Sequence, residues 1–147
     1  MNKPNTKILV ADDELWYLEG VRDALESEGY EVITESRMTG DRCLEIVKNL
    51  DAQIDILILD IMMNPGPKLA KEVISSTHTG VAVCRKIREE IKPNNPGFPI
   101  ICLTAVNDNL VLGEMRQMGC AVLKKAEVGV SDIIKAAKSS EQQIGKR

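Results

Sequence analysis

Aromatic side chains and long hydrophobic runs are scarce in this 147-residue chain. Only 3% of its residues are aromatic, whereas 44% are hydrophobic and 28% are charged. No apolar run approaches the ~20 residues that a membrane-spanning helix needs, and segment 1–7 lacks the charged, apolar and small-residue order of a secretory signal. We therefore expect a cytoplasmic protein without membrane insertion, and its length fits one domain.

Clustered basic residues are also missing. The formal net charge is -3, and the pair Lys124–Lys125 is too short to form a basic run. Binding to nucleic acid requires several Lys and Arg side chains that neutralise phosphates. The sequence therefore argues against direct contact with nucleic acid.

Closely spaced cysteines are the third absence. The four cysteines, Cys43, Cys84, Cys102 and Cys120, are isolated, and no C-x-x-C pair occurs. Small zinc sites need ligands in close sequence pairs, and structural disulfides belong mainly to oxidising compartments. We expect four buried free thiols rather than a disulfide or a zinc site.

Short apolar runs alternate with longer segments of helical periodicity, and no internal repeat interrupts them. Nearly continuous apolar runs are typical of parallel strands that are covered on both faces, and alternation is typical of an edge strand. The predicted strands are Lys7–Ala11, Glu31–Glu35, Ile54–Leu59, Ile100–Leu103 and Ala121–Leu123. Regular alternation of strands and helices predicts an α/β fold with a doubly wound parallel sheet and right-handed crossovers.

Polar residues follow several of these strands at the point where each strand ends. The segment Asp12–Glu14 follows the first strand, Asp60 the third, Thr104 the fourth and Lys124 the fifth. Carboxyl ends of parallel strands meet at one edge of a doubly wound sheet. Carboxylates that close repel one another unless a cation lies between them, and Mg²⁺ prefers such oxygen ligands. The pattern indicates a site for Mg²⁺ and a phosphoryl group.

Each of these residues also has a simpler structural interpretation. The acids of Asp12–Glu14 precede a helix, where they can cap free N–H groups. Asp60 could begin a loop, Thr104 could cap a helix, and Lys124 could be a solvated charge. The convergence of all four on one sheet edge favours a common site.

Four motifs make the sequence similar to the receiver domain of two-component response regulators. The resemblance is strongest to the stand-alone kind, such as the chemotaxis response regulator, and covers about residues 7–137. The motifs are Val10–Glu14, Leu57–Met63, Leu103–Ala105 and Val122–Lys124. The resemblance implies a flavodoxin-like five-stranded sheet in the order 2-1-3-4-5, with helices on both faces.

The resemblance also implies roles for individual residues. Asp60 would accept a phosphoryl group from a sensor histidine kinase or a histidine phosphotransfer protein. Asp13, Asp60 and the Met62 carbonyl would ligate Mg²⁺, and Asp12 would support the metal through water. These roles make Asp60 the central residue of the predicted site.

Two further residues would respond to the phosphoryl group. In the family pattern Lys124 would pair with the phosphoryl oxygens, and Thr104 would turn inward to hydrogen-bond the group. This movement alters the face formed by the fourth helix, the fifth strand and the fifth helix, which recruits a downstream effector protein.

The resemblance divides the chain into a receiver domain and two short ends. We expect a disordered N-terminus over residues 1–6, a receiver over 7–138 and a polar tail over 139–147. The loop after Asp60 is longer than usual, with an insertion over 64–79 that is predicted to form one short helix at the rim of the site. No output domain is expected after the last helix.

Two positions depart from the family pattern. Ala121 stands three residues before Lys124, where the family usually has an aromatic residue, and Lys125 replaces the proline that usually follows the lysine. These departures keep open an alternative, a pseudo-receiver that binds partners without being phosphorylated.

We do not expect a turnover enzyme. A Mg²⁺-dependent phosphatase with an aspartyl nucleophile usually carries a second aspartate two residues later as general acid. Met62 occupies that position. A phosphatase is therefore the least favoured alternative.

Overall fold

The computed structural model describes residues 5–73 and 75–145, and these form one five-stranded parallel sheet. The strand order is β2-β1-β3-β4-β5, as the resemblance implied. The strands are β1 (Lys7–Ala11), β2 (Glu31–Ile33), β3 (Ile56–Leu59), β4 (Ile100–Thr104) and β5 (Ala121–Lys124). The doubly wound α/β fold predicted from the sequence is confirmed.

Within the described ranges, five α-helices connect and follow the strands. They are α1 (Leu15–Ser27), α2 (Gly40–Lys48), α3 (Thr79–Lys86), α4 (Asn109–Gln117) and α5 (Val130–Gly145). Helix α3 continues as a π-helical turn over Ile87–Ile91. No helix in the described part of the chain is both long enough and apolar enough to cross a membrane.

The two faces of the sheet bury two separate hydrophobic clusters because successive side chains of a strand point to opposite faces. Leu9 and Leu57 pack on one side, with residues of α2, α3 and α4. Val10 and Ile58 pack on the other side, with residues of α1 and α5. The central strands are apolar on both faces for this reason.

The sequence predicted a disordered segment at the N-terminus and a polar tail at the C-terminus. The predicted disorder at 1–6 falls mainly on residues 1–4, which lie outside the described residues, and the Thr6 carbonyl accepts a hydrogen bond from the Glu31 N–H at 3.0 Å. Of the polar tail predicted over 139–147, residues 139–145 continue α5, and residues 146–147 lie outside the described residues. Ser140 and Ile144 are partly or fully buried there, which explains the longer helix.

The insertion over 64–79 is hydrogen-bonded to the first turn of α2. The Asp41 carboxylate accepts hydrogen bonds from the Lys68 and Leu69 N–H groups at 2.8 and 2.9 Å. The Asn64 and Pro65 carbonyls accept from the Gly40 and Asp41 N–H groups, each at 2.9 Å. These contacts also satisfy N–H groups that a helix N-terminus leaves unpaired.

In the described residues of the insertion, 64–73 and 75–79, the single short helix that the apolar spacing predicted is not present. It contains two 3₁₀ turns, Leu69–Lys71 and Ser76–His78. The Leu69 side chain is 1% exposed and joins the cluster beneath α2, α3 and α4. A Cβ atom on Gly40 would lie 2.6 Å from Leu69 Cδ2. The insertion is therefore part of the packed core at this point.

Candidate functional site

Asp12 and Asp60 form the floor of the candidate site because their strands are neighbours. Strands β1 and β3 pair in register up to Ala11 and Leu59, and the Asp60 N–H donates to the Ala11 carbonyl at 3.0 Å. Each aspartate directly follows its strand, and both are nearly buried, with 3% and 4% exposure. Parallel pairing thus places two buried carboxylates side by side.

The Lys125 ammonium lies against both of these carboxylates. Its Nζ atom is 2.7 Å from Asp12 Oδ2, 3.2 Å from Asp60 Oδ2 and 2.8 Å from Glu14 Oε1. Its side chain is only 9% exposed. One buried ammonium thus contacts three carboxylates and carries a single positive charge against them.

This arrangement corrects the prediction that Lys124 is the lysine of the site. Lys124 ends β5 and pairs in register with Thr104. Among the described residues, no hydrogen bond or ion pair involves its side chain, whereas Lys125 contacts three carboxylates. Lys125 begins the following turn, where its N–H donates to the Thr104 carbonyl at 2.8 Å.

The alternation of strand side chains explains the difference. Val10, Ile58 and Leu123 all face α1 and α5. Because side chains two residues apart share a face, the residues two positions later, Asp12, Asp60 and Lys125, fall on that same side. Lys124 has the opposite parity. The site lysine could have been identified by following the alternation of side chains between the two faces of the sheet beyond the last residue of each strand.

Glu14 and Tyr17 complete the surroundings of Lys125. The sequence placed Glu14 in the acidic segment at this edge without giving it a role, and it did not predict Tyr17 as a site residue. Glu14 occupies the N-cap position of α1 but makes no side-chain capping bond, so its carboxylate is available to Lys125. The Lys125 Nζ atom lies 4.6 Å from the centre of the Tyr17 ring, a cation–π distance. The capping interpretation of the acidic segment therefore does not apply to the Glu14 side chain.

Three carboxylates could hold a metal ion. Oxygen atoms of Asp12, Asp13 and Asp60 lie within 4.8 Å of one another, and Asp13 is exposed whereas the other two are buried. Hard, anionic oxygen donors suit Mg²⁺, which usually binds to few carboxylates and keeps several waters. The donor set fits this ion, and the exposed Asp13 provides the side from which it can approach.

The charges of this cluster shift the protonation equilibria of its members. Burial raises the pKa of Asp12, although hydrogen bonds from Lys125 and the Glu14 N–H oppose the shift. Burial and the Asp12 charge raise the pKa of Asp13. Burial alone would lower the pKa of Lys125, but its bonds to Asp12 and Glu14 outweigh this effect and raise that pKa. Lys125 therefore stays cationic.

Thr104 and Met62 flank this cluster. Thr104 is fully buried at the end of β4, and its hydroxyl accepts a hydrogen bond from the Val106 N–H at 3.1 Å. The Met62 N–H donates to Asp60 Oδ1 at 3.2 Å, while the Met62 side chain is 43% exposed. The turn after β3 thus orients one Asp60 oxygen and leaves the other facing Lys125.

A cavity of about 520 Å³ opens beside the carboxylates. The residues that line it come from the end of β1, the turn after β3 and the insertion: Asp13, Glu14, Met62, Met63, Asn64, Pro65 and Ser76. The insertion therefore forms one wall of the approach to the site, at the rim where the sequence placed it.

The fold and the site together are those of a doubly wound α/β domain with buried carboxylates and a lysine at the carboxyl edge of its sheet. A sequence model described as "Response regulator receiver domain" matches residues 8–138. This chain belongs to the response regulator receiver domain family of two-component systems.

Individual proteins agree with this assignment. The chain is 39% identical over 100 residues to the transcriptional regulatory protein ResD of Bacillus subtilis, covering 68% of this chain and 33% of ResD. It is 35% identical over 111 residues to the alkaline phosphatase synthesis transcriptional regulatory protein PhoP of the same organism, covering 74% of this chain and 38% of PhoP. The chain thus spans about a third of the length of ResD and 38% of the length of PhoP.

Solved structures share the fold. A CheY-like response regulator receiver domain protein from Methanospirillum hungatei superposes with a TM-score of 0.75 at 21% identity, covering 98% of this chain and 100% of that one. A receiver domain protein from Clostridium thermocellum gives a TM-score of 0.69 at 29% identity, with coverage of 95% and 97%.

Because Lys125 is the lysine of the site, different positions now correspond to the aromatic residue and the proline of the family pattern. The position three residues before the lysine becomes Val122, and the position after it becomes Ala126. Val122 is partly buried against the cluster beneath α2, α3 and α4. The aromatic residue and the proline of the family pattern are therefore absent when Lys125 is taken as the site lysine as well.

Proposed function

We propose that this chain is a phosphorylation-dependent receiver that accepts a phosphoryl group on Asp60. The observation that carries the proposal is the position of the buried Asp60 carboxylate, 3.2 Å from the Lys125 ammonium and grouped with Asp12 and Asp13. A nucleophilic carboxylate beside fixed cationic groups is what in-line phosphoryl transfer requires.

Each residue of the site has a separate role in the proposed reaction. An Asp60 oxygen attacks the phosphorus atom, and the bond to the donor's leaving group breaks as the acyl phosphate forms. The Lys125 ammonium offsets negative charge on the phosphoryl oxygens. Mg²⁺ held by Asp12, Asp13 and Asp60, with the Met62 carbonyl, would supply further positive charge. We expect the Thr104 hydroxyl to turn inward and form a hydrogen bond with the phosphoryl group on Asp60.

The proposal includes a donor of the phosphoryl group and a protein that receives the signal. We propose a sensor histidine kinase or a histidine phosphotransfer protein as donor, and a downstream effector protein as the recipient of the signal through protein contact. ResD and PhoP are named as transcriptional regulatory proteins, which supports gene regulation as one output. The chain acts as a signalling domain and does not turn over a substrate.

Labelling by a small phosphodonor tests this proposal. The native chain, incubated with acetyl phosphate and Mg²⁺, should gain about 80 Da in intact mass, the mass of one phosphoryl group. Asp60→Asn should abolish the gain, because an amide is not the nucleophile. The matched control Asp51→Asn changes an exposed aspartate and should label normally.

Failure to label the native chain would favour the pseudo-receiver instead. Labelling that survives in Asp60→Asn would place the acceptor elsewhere. Multiple turnover of a generic phosphate ester would favour a phosphatase.

A further inference from the structure

Two of the four cysteines, far apart in sequence, are in contact. The Sγ atoms of Cys84 and Cys120 lie 3.2 Å apart across a sequence separation of 36 residues. Cys84 belongs to α3 and is fully buried, whereas Cys120 directly precedes β5 and is 7% exposed. All four cysteines are free and buried, as the sequence predicted, but these two are in contact although their isolated positions along the chain gave no sign of it.

A guanidinium group lies next to the pair. Arg88 donates from Nε to the Met118 carbonyl at 2.8 Å and from Nη1 to the Phe98 carbonyl at 2.7 Å. These two bonds hold the guanidinium beside the Gly119 backbone, one residue before Cys120. A fixed positive charge near a thiol favours its reactive thiolate form.

The surroundings distinguish this pair from the other buried thiols. The hydrogen bond with Cys120 lowers the pKa of Cys84, and the charges of Arg88 and Arg85 act in the same direction against the effect of burial. Burial raises the pKa of Cys43 to about 12, and that of Cys102 also to about 12. A cysteine whose thiolate is favoured oxidises more readily than one in apolar surroundings.

We propose that Cys84 and Cys120 form a reversible intramolecular disulfide when the protein meets hydrogen peroxide. One peroxide molecule is reduced to two molecules of water as its O–O bond breaks. The two thiols lose their hydrogens, their sulfur atoms are oxidised, and one S–S bond forms. A thiol reductant reverses the change by thiol–disulfide exchange.

The disulfide would link α3 to the beginning of β5. Strand β5 leads directly to Lys125, and α3 begins beside the turn that follows Asp60, where the Gly80 N–H donates to the Ile61 carbonyl at 2.8 Å. The bond therefore joins two elements that flank the proposed phosphorylation site. Its formation does not depend on phosphorylation.

Tryptic mapping tests the proposal because each cysteine falls in a different peptide. Trypsin cleaves after Lys and Arg, which places Cys84 in 72–85, Cys120 in 117–124, Cys43 in 43–48 and Cys102 in 89–116. The reduced full-length chain is treated with hydrogen peroxide, denatured, alkylated and digested. We expect peptides 72–85 and 117–124 joined to each other, with an intact mass about 2 Da lower before alkylation.

Reduction with dithiothreitol should separate the two peptides, and Cys43 and Cys102 should be alkylated throughout. Replacement of Cys120 by Ala should abolish the linked species, whereas the matched control Cys43→Ala should preserve it. Alkylation of all four cysteines after peroxide treatment would overturn the proposal. A link that involves Cys43 or Cys102, or oxidation of Cys84 to the sulfinic acid without a link, would also overturn it. The result on the native chain decides the question even if a variant does not fold.

Discussion

Lys125 is the residue on which the charge balance of the site depends. Its ammonium is the group that contacts Asp12, Glu14 and Asp60 together. Removal of one partner from a buried ionic cluster leaves the others uncompensated. The neighbouring Lys124 has the same charge and follows the same strand, so it provides a natural comparison.

We predict that Lys125→Ala slows phosphorylation of Asp60 by acetyl phosphate about 100-fold, because one positioned electrostatic group is worth roughly that factor. Lys124→Ala should change the rate less than about threefold. The measurement is the rate of mass gain in each variant at saturating Mg²⁺ and equal donor concentration.

An equal loss of rate in both lysine variants would contradict the placement of Lys125. A loss in Lys124→Ala alone would restore the original sequence prediction. Circular dichroism of each variant checks that the fold is retained.

At the scale of elements, the insertion over 64–79 behaves as part of the core. Leu69 is 1% exposed, and the Asp41 carboxylate accepts hydrogen bonds from the Lys68 and Leu69 N–H groups at the start of the turn that follows. These contacts join segments about 27 residues apart in the sequence. Pairings between segments so far apart cannot be read from local periodicity, which is why the sequence predicted a single helix.

We predict that Leu69→Ala lowers the free energy of unfolding by about 2–4 kcal/mol, as expected for a buried leucine that leaves a cavity. The matched control is Leu50→Ala, because the Leu50 side chain is 84% exposed and its loss should cost less than about 0.5 kcal/mol. Urea unfolding followed by circular dichroism measures both values. Equal effects of the two substitutions would show that the insertion is not packed.

A second prediction concerns the attachment of the insertion to α2. Asp41→Ala removes the acceptor of two backbone hydrogen bonds and should destabilise the protein by about 1–3 kcal/mol. Hydrogen exchange at the Lys68 and Leu69 amides should accelerate most, and Asp23→Ala, an exposed substitution on α1, should leave both rates unchanged. Unaltered protection in Asp41→Ala would mean that other contacts hold the insertion.

At the scale of the whole molecule, much of the architecture could be predicted from sequence because apolar runs mark buried parallel strands. The run Ile56–Leu59 forms a strand that is buried on both faces, and the predicted edge strand at Glu31 is observed, although it ends at Ile33. The convergence of carboxylates and a lysine on one sheet edge was predicted, but the wrong lysine was chosen because the alternation of β5 was not followed past its last residue. The Cys84–Cys120 contact was not predicted because it joins segments 36 residues apart.

The whole fold should also respond to Mg²⁺, because a ligand that binds only the native state stabilises it. We predict a gain of about 1.4 kcal/mol when free Mg²⁺ reaches ten times its dissociation constant. Asp13→Asn should reduce this gain, since Asp13 is the exposed carboxylate of the cluster, and Asp51→Asn should not. Urea unfolding at several Mg²⁺ concentrations provides the measurement, and a native stability that is independent of Mg²⁺ would contradict the metal site.

The central claim is that Asp60 is a Mg²⁺-dependent phosphoryl acceptor. The most direct measurement is the intact mass of the native chain after incubation with acetyl phosphate, with Mg²⁺ or with EDTA, followed by peptide mapping of the modified residue. Our account predicts one added phosphoryl group on Asp60 with Mg²⁺ and little or none with EDTA. No added mass in Mg²⁺, or a phosphoryl group on any other residue, would contradict it.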